Sequence, residues 1–349
     1  YHHELSHLPE GVEVTRTQDE QYSKTDQKWL EADAESKDPF EALNVATFQT
    51  GLHLDFPKDW SSDEPLIIIH EFDEHAADHQ VPTRLHVNIG RFSKVQMIEH
   101  LLHTEEELHF LSNHQTRLNL EEGANVTHIK FSQLPEQSLH MGSLVADVAK
   151  DANLKSFTMT LSRGAHRHNM NVRLLDEQAH AQVDGLYTLR AKDYVDHFSV
   201  IDHRKSHTTS NQRFKGILDE SSRGAFTGKM IVERHAQQVE AEQLNKNLLL
   251  SKKAKVDTRP QLEVYADDVS CAHGATVGQI SEDELFYLES RGIPKVQAYQ
   301  MLCHAFASDV ILRLQDDRLE SWLMKQLYEG YERFSEYDKL AVQAEGGNQ

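Results

Sequence analysis

Cys271 and His273 stand two residues apart in the sequence. If that stretch is a strand, the two side chains point to the same side of it. A thiol and an imidazole would then face one site, and both are accepted ligands of iron and its sulfide clusters. The plainer alternative is a buried cysteine beside a surface histidine near a Gly-rich turn. Gly274, Thr276 and Gly278 follow at once, and the glycines read as structural, permitting a tight turn between two kinds of structure. Cys303 is the only other cysteine. Two thiols speak against a disulfide framework and fit a reducing cytosol. A conventional cluster takes about four thiolates. Any cluster role must therefore borrow ligands from a partner, from His or from carboxylates.

Other groupings invite chemistry and support it less. His70-Glu71-Phe72-Asp73-Glu74-His75, with Asp78 and His79, is rich in metal-binding types. The zinc-protease helix needs His at i and i+4 around the Glu. The first pair here is five apart, and the segment begins as a strand, so it reads as a solvated acidic loop. His166-Arg167-His168 would chelate weakly. Most of the 23 histidines lie in polar stretches and read as surface residues. Gly224-Ala-Phe-Thr-Gly228-Lys229-Met230 is one residue short of a phosphate loop between its glycines. It also has Met where Ser or Thr would hold magnesium, so a strand and turn fit it better.

The elements that must position these groups change character twice. Residues 1–36 are polar and weakly periodic, with a short helix expected at 26–34. Asp38-Pro39-Phe40 reads as a helix start, with Asp as cap and Pro in the first turn. Phe40, Leu43 and Phe48 would line one face. From about residue 52 to 279 short strand-like stretches recur, among them Leu66-Ile67-Ile68-Ile69, Leu85-His86-Val87-Asn88-Ile89, Thr127-His128-Ile129-Lys130-Phe131 and Asn171-Val172-Arg173-Leu174-Leu175. Ala124, Ala152 and Ala179 each follow a polar turn and precede a strand, spaced 28 and 27 residues apart. That is the repeat of a β-solenoid, with a small residue at the corner of each coil. An antiparallel sandwich would also give short strands and stays open as the alternative. Beyond residue 280 the pattern turns helical. Ser281-Glu282-Asp283-Glu284 resembles a capping box. Gly292 would end one helix and Pro294 begin the next. Ala298, Leu302, Ala305, Phe306 and Val310 follow at helical spacing. A last helix carries Leu319, Trp322, Leu323, Leu327 and Tyr331, and the tail after residue 342 is expected to be disordered.

Composition bounds the class. The 349 residues include 38% hydrophobic and 26% charged types, which suits a soluble folded protein with a large core. A net charge of −20 argues against nucleic acid and anionic membranes as main partners. No apolar run reaches the length of a membrane span, and no secretory signal opens the chain. The start at Tyr1-His2-His3, without Met, reads as a piece of a longer protein.

Asn245-Lys-Asn-Leu-Leu-Leu-Ser251, then Lys255-Val-Asp-Thr-Arg-Pro-Gln-Leu-Glu-Val-Tyr-Ala-Asp-Asp-Val-Ser-Cys-Ala-His-Gly-Ala-Thr-Val-Gly278, resembles the signature of the SufB/SufD family. Glu284-Leu-Phe-Tyr-Leu-Glu-Ser-Arg-Gly-Ile293 continues it. Gly185-Leu-Tyr, Val195-Asp-His197, Asp202-His203 and Phe214-Lys-Gly-Ile-Leu-Asp219 fit upstream. The resemblance is closest over about residues 160–330. It implies a right-handed parallel β-helix flanked by helices: a helical N-terminal remnant over residues 1–50, the β-helix over 51–280 and a C-terminal helical domain over 281–349. Length and cysteine count favour the SufD side over the SufB side, although a SufB-type chain binding a cluster with its own ligands stays a further reading.

The resemblance further implies a non-catalytic, cytoplasmic scaffold for iron–sulfur cluster assembly, paired with a SufB-type sibling. His273, with Cys271, would help hold the nascent cluster at that interface. A SufC-type ABC ATPase would dock on the region around Leu285, Phe286, Leu288, Arg291, Pro294, Ala298, Leu302 and Phe306, and ATP hydrolysis would come from that partner. A transient cluster, and a flavin associated with the assembled complex, are expected only there. Alone, the chain is expected to pair with a second copy. The competing reading is a parallel β-helix polysaccharide lyase or hydrolase, with Asp196, Asp202 and Asp219 as groove carboxylates.

Overall fold

The structure is a computed structural model that describes residues 8–16, 38–105 and 107–332. The expected helix at 26–34 and the expected disordered tail lie outside the described residues. In chain order the strands are β1 (Glu13–Arg16), β2 (Thr50–Phe56), β3 (Leu66–Phe72), β4 (His79–Ile89), β5 (Lys94–His103), β6 (Phe110–Leu120), β7 (Asn125–Ser132), β8 (Ser138–Val148) and β9 (Asn153–Thr160). They continue with β10 (Ala165–Leu174), β11 (His180–Leu189), β12 (Tyr194–His203), β13 (Thr209–Leu218), β14 (Arg223–Val232), β15 (Val239–Leu249), β16 (Lys255–Val264) and β17 (Val269–Gly278). The helices are α1 (Pro39–Thr47), α2 (Glu282–Ser290), α3 (Lys295–Ile311) and α4 (Asp317–Glu332).

From β2 onward the chain alternates between two sheets. Even-numbered strands form one and odd-numbered strands the other, each pairing in parallel with the strand two places along. This is a β-solenoid, and the all-parallel ladders rule out the sandwich. Among the described strands only β1 departs from the rule, pairing antiparallel with β2. Each coil adds one strand to each sheet, so every inward side chain stacks on its counterpart in the next coil.

The alanine repeat sits where the chain bends into the odd-numbered sheet. Ala124, Ala152 and Ala179 are fully buried. Each passes its carbonyl to the next coil: Asn153 N–H donates to Ala124 at 2.8 Å and His180 N–H to Ala152 at 2.9 Å. The residue before each alanine, Gly123, Asp151 or Gln178, takes a left-handed φ of 55–71°. Only the first is the glycine this conformation favours. At the other two, stacking of successive coils holds the bend.

The interior divides in two. One half is apolar, built from Leu85, Leu118, Leu144, Val172, Val126, Leu154 and Val183 among others. The other half is polar and is described with the candidate sites below. Outside, α1 lies on the even-numbered sheet. Asp38 caps it, accepting from Phe40 N–H at 2.8 Å and Glu41 N–H at 3.2 Å. Phe40, Leu43 and Phe48 are only partly buried. The anchor is Asn44, whose amide donates to the Asn113 carbonyl at 2.7 Å and accepts from Arg84 at 3.0 Å.

The C-terminal helices lie across the outer face of the odd-numbered sheet. Ile98, Ile129, Phe131, Phe157, Met159, Leu186 and Ile217 point outward and are sealed by Cys303, Ala307, Val310, Ile311, Leu319, Leu323 and Leu327. Charges pin the seam. Arg313 donates to Asp184 at 2.8 Å, and Lys215 reaches Asp309 at 2.6 Å. Ser281 caps α2 through Glu284 N–H at 3.3 Å. Gly292, at φ +83°, ends it, and Pro294 stands just before α3.

Candidate functional site

β17 is the last strand of its sheet, and among the described residues nothing pairs its outer edge. Such an edge presents unpaired backbone groups ready to receive another strand. Within β17, Cys271 and His273 share the inward parity. Cys271 is in register with Ala241, and His273 with Gln243. In an internal coil both would be buried. In the final coil no described strand lies above them, and His273 is exposed and Cys271 half-buried. Burial pushes the Cys271 thiol up from its ordinary value, so this thiol needs a metal or a neighbouring cation to ionise. Beneath His273 runs a polar column. Gln243 donates to Gln212 at 2.7 Å, and Gln212 donates to Ser199 at 2.6 Å. The rim is apolar, with Val264, Tyr265 and Val277 exposed.

Gly274 and Gly278 need a correction. Both lie inside β17, and neither takes a positive φ. They make no turn. Cys303 is sealed under α3, with burial pushing its thiol up to about 12, and takes no part in the site.

The expected docking residues divide. Leu285 and Ala298 are buried, while Leu288, Leu302 and Phe306 are partly buried. Phe306 carries the Lys215 ammonium 4.5 Å above its ring, so it belongs to the seam with the sheet. Phe286, Arg291 and Pro294 face outward. Phe286 is 72% exposed, with Tyr287, Met301 and Leu312 also exposed on the C-terminal helices.

The remaining groupings fare differently. The stretch 224–230 lies wholly inside β14, and its glycines face inward. A Cβ at Gly228 would sit 2.0 Å from the Gln243 amide, so close packing rather than phosphate accounts for that glycine. Asp196 and Asp202 are six residues apart on one strand, about 20 Å. Asp196 pairs with Arg167, and Asp202 accepts from Arg204 at 2.6 Å. Asp219 lies at the corner after β13, bonded to Glu220 N–H at 2.7 Å. The three carboxylates form no catalytic pair.

The histidines bring the largest correction. Among the described residues nine of them are buried, and several line the polar half of the solenoid interior. Glu99 is its centre. His114 and His128 reach its two carboxylate oxygens at 2.6 Å each, and the Thr116 hydroxyl donates at 2.8 Å. His70 comes from β3, with its Nε2 at 3.6 Å from Glu99. Hence the segment read as an acidic loop sends His70 and Phe72 inward, while Glu71, Glu74 and His75 stay exposed. Burial alone would raise the Glu99 carboxyl. The Lys130 ammonium, the bonds from His114 and His128 and the nearby His70 ring outweigh it and hold it well below the usual range. Further along, His140, His166, His168 and His197 line the same lane. Burial lowers all four, His166 to about 4 and His197 to about 3. They are neutral imidazoles at neutral pH. The sequence signal was there: His128 with Lys130, and His166 with His168, recur at a period of two.

A parallel solenoid with this terminal coil and a helical layer defines a class, and comparison with known proteins agrees. The family model for the SUF system FeS cluster assembly SufBD core domain matches residues 72–306. The chain belongs to the SufB/SufD family. Its similarity is to the SufD side: it is 31% identical over 298 residues to the iron-sulfur cluster assembly protein SufD of Escherichia coli K12, covering 84% of this chain and 70% of that one. A SufBD family iron-sulfur cluster assembly protein of Synechocystis is 34% identical over 202 residues, 58% of this chain and 45% of the relative. The chloroplastic protein ABCI7 of Arabidopsis thaliana is 28% identical over 231 residues, 65% and 48%. The chain thus spans about half the length of the latter two. No helix among the described residues is long and apolar enough to cross a membrane.

Proposed function

We propose that the chain is a non-catalytic scaffold subunit for iron–sulfur cluster assembly. It pairs with a SufB-type sibling at its terminal coil and docks a SufC-type ABC ATPase on its C-terminal helices. The observation that carries this reading is His273, an imidazole of inward parity left open on an edge strand whose outer side pairs with nothing among the described residues. A sibling seated on β16 and β17 would cover the exposed Val264, Tyr265 and Val277. It would also bring its own thiolates to His273 and Cys271, completing a ligand set this chain lacks. The nascent cluster is cargo of that shared site. Cluster and flavin alike are assigned to the assembled complex, and the setting to a reducing cytosol. Phe286 and Tyr287 offer the ATPase an apolar contact, and nucleotide-driven change in that partner would open or close the sibling interface. Without a sibling, the same edge is available to a second copy of this chain.

The test is co-expression with SufB- and SufC-type partners. His273→Ala should leave the complex assembled and lower its cluster yield on anaerobic reconstitution. Wild-type yield from the assembled variant would remove His273 from the mechanism.

A further inference from the structure

We propose that His70, Glu99 and His114, with His128 as a fourth donor, form a binding site for a divalent first-row transition metal ion inside the first coils of the solenoid. The site is separate from the candidate cluster site. Seven strand spacings separate β3 from β17, roughly 33 Å along the solenoid axis.

The geometry comes first. One nitrogen each from His70 and His114 and one oxygen of Glu99 lie within 4.8 Å of one another. Small rotations bring such atoms to the roughly 2 Å bonds of an imidazole- and carboxylate-bound ion. Two imidazoles and one carboxylate are the donor set that first-row divalent ions such as iron(II) and zinc favour over calcium or magnesium. His128 adds a third imidazole, 2.6 Å from the other Glu99 oxygen.

His70 is the least settled member. Its Nε2 is buried and has no hydrogen-bond partner among the described residues, yet it points to the Glu99 oxygen that His114 already bonds. Its ring stands edge-on to His114, centroids 4.3 Å apart. The imidazole is thus aimed at a shared point without an interaction that repays its burial.

The surroundings suit a metal. Thr83 Oγ1 lies 2.6 Å from His114 Nδ1, and Ser156 Oγ 3.3 Å from His128 Nδ1. A hydroxyl can donate to Nδ1 or accept from it. Each ring can therefore turn its Nε2 lone pair to Glu99's side when a metal arrives, held by the outer bond that metal-bound histidines use. Lys130, buried with no hydrogen-bond partner for its Nζ among the described residues, is the local counter-charge to Glu99. A divalent ion at the site takes over that role and competes with it. The His70 side chain is 16% exposed and belongs to the first strand of its sheet, giving an ion a path from that end.

The test uses the full chain carrying Cys271→Ser and His273→Ala, which silences the other end. After chelator treatment, Zn2+ is titrated by calorimetry and Co2+ by its visible absorption. One equivalent should bind, with Co2+ bands of a nitrogen- and oxygen-bound ion, and Zn2+ should raise the melting temperature by mass action. His70→Ala, at a partly exposed position that tolerates the change, should abolish the Co2+ bands. Thr83→Val should weaken Zn2+ by about tenfold to a hundredfold. Lys130→Met should tighten it. Absence of binding, or equal uptake by the parent and His70→Ala, would overturn the proposal.

Discussion

Acid should unfold this protein well above the pH at which its carboxylates protonate. His114 and His197 are lowered to about 3, and His166 and His203 to about 4, each by burial first. In the unfolded chain the same imidazoles take a proton near pH 6.5. Their folded values are depressed, so their contribution to stability is complete above about 6.5 and is lost as pH falls toward 4 and 3. Glu99 acts only below its ordinary 4.5, outside the first part of that window. At pH 5.0 each imidazole held neutral costs about 2 kcal/mol relative to pH 7.5. Four independent sites would together contribute roughly 8 kcal/mol, a large share of the 5–15 kcal/mol that holds a typical domain folded.

The assay is urea unfolding at pH 7.5 and 5.0, followed by circular dichroism. The midpoint should fall steeply at pH 5.0 while the slope against urea stays constant. His197→Phe makes the sharper comparison. His197 lies between Tyr187 and Phe214, ring centroids 5.3 and 5.1 Å away, and neither of its ring nitrogens has a hydrogen-bond partner among the described residues. Phenylalanine should fit at pH 7.5 within about 1.5 kcal/mol and reduce the acid loss by about 2 kcal/mol. Equal midpoints for the wild type at the two pH values, or an undiminished acid loss in His197→Phe, would refute the reasoning.

Leu323→Ala, at a fully buried position between α4 and the sheet, should cost about 2–5 kcal/mol by urea titration; a change near zero would mean the helical layer contributes little. Phe286→Ser should leave stability within about 0.5 kcal/mol while releasing a SufC-type partner in co-purification, and full retention of that partner would remove α2 from the docking surface.

Much of the architecture was legible because a solenoid is a local rule repeated. Ala124, Ala152 and Ala179 mark equivalent corners, and a small side chain is what a tight, fully buried corner needs. Ser281 and Gly292 marked the ends of α2 for similarly local reasons. The candidate cluster residues were legible in spacing, and their family signature was specific. The lumen was not, because alternation reveals two faces without saying which is inside. In Thr127-His128-Ile129-Lys130-Phe131 the apolar residues Ile129 and Phe131 face the helices, and His128 and Lys130 face the interior. An ordinary half-exposed strand would be read the other way round.

By itself, then, the order of residues determined the coil length, the corners, the helix caps and the adjacency of Cys271 with His273. Those features depend on neighbours a few positions away. Tertiary structure decided the rest: that α3 and α4 lie along a sheet face, that β17 ends the stack with His273 uncovered, and that Glu99 meets histidines from three other strands. Each of those depends on coils that are distant in the chain and adjacent in space, and on which of two covered faces a strand turns toward the interior.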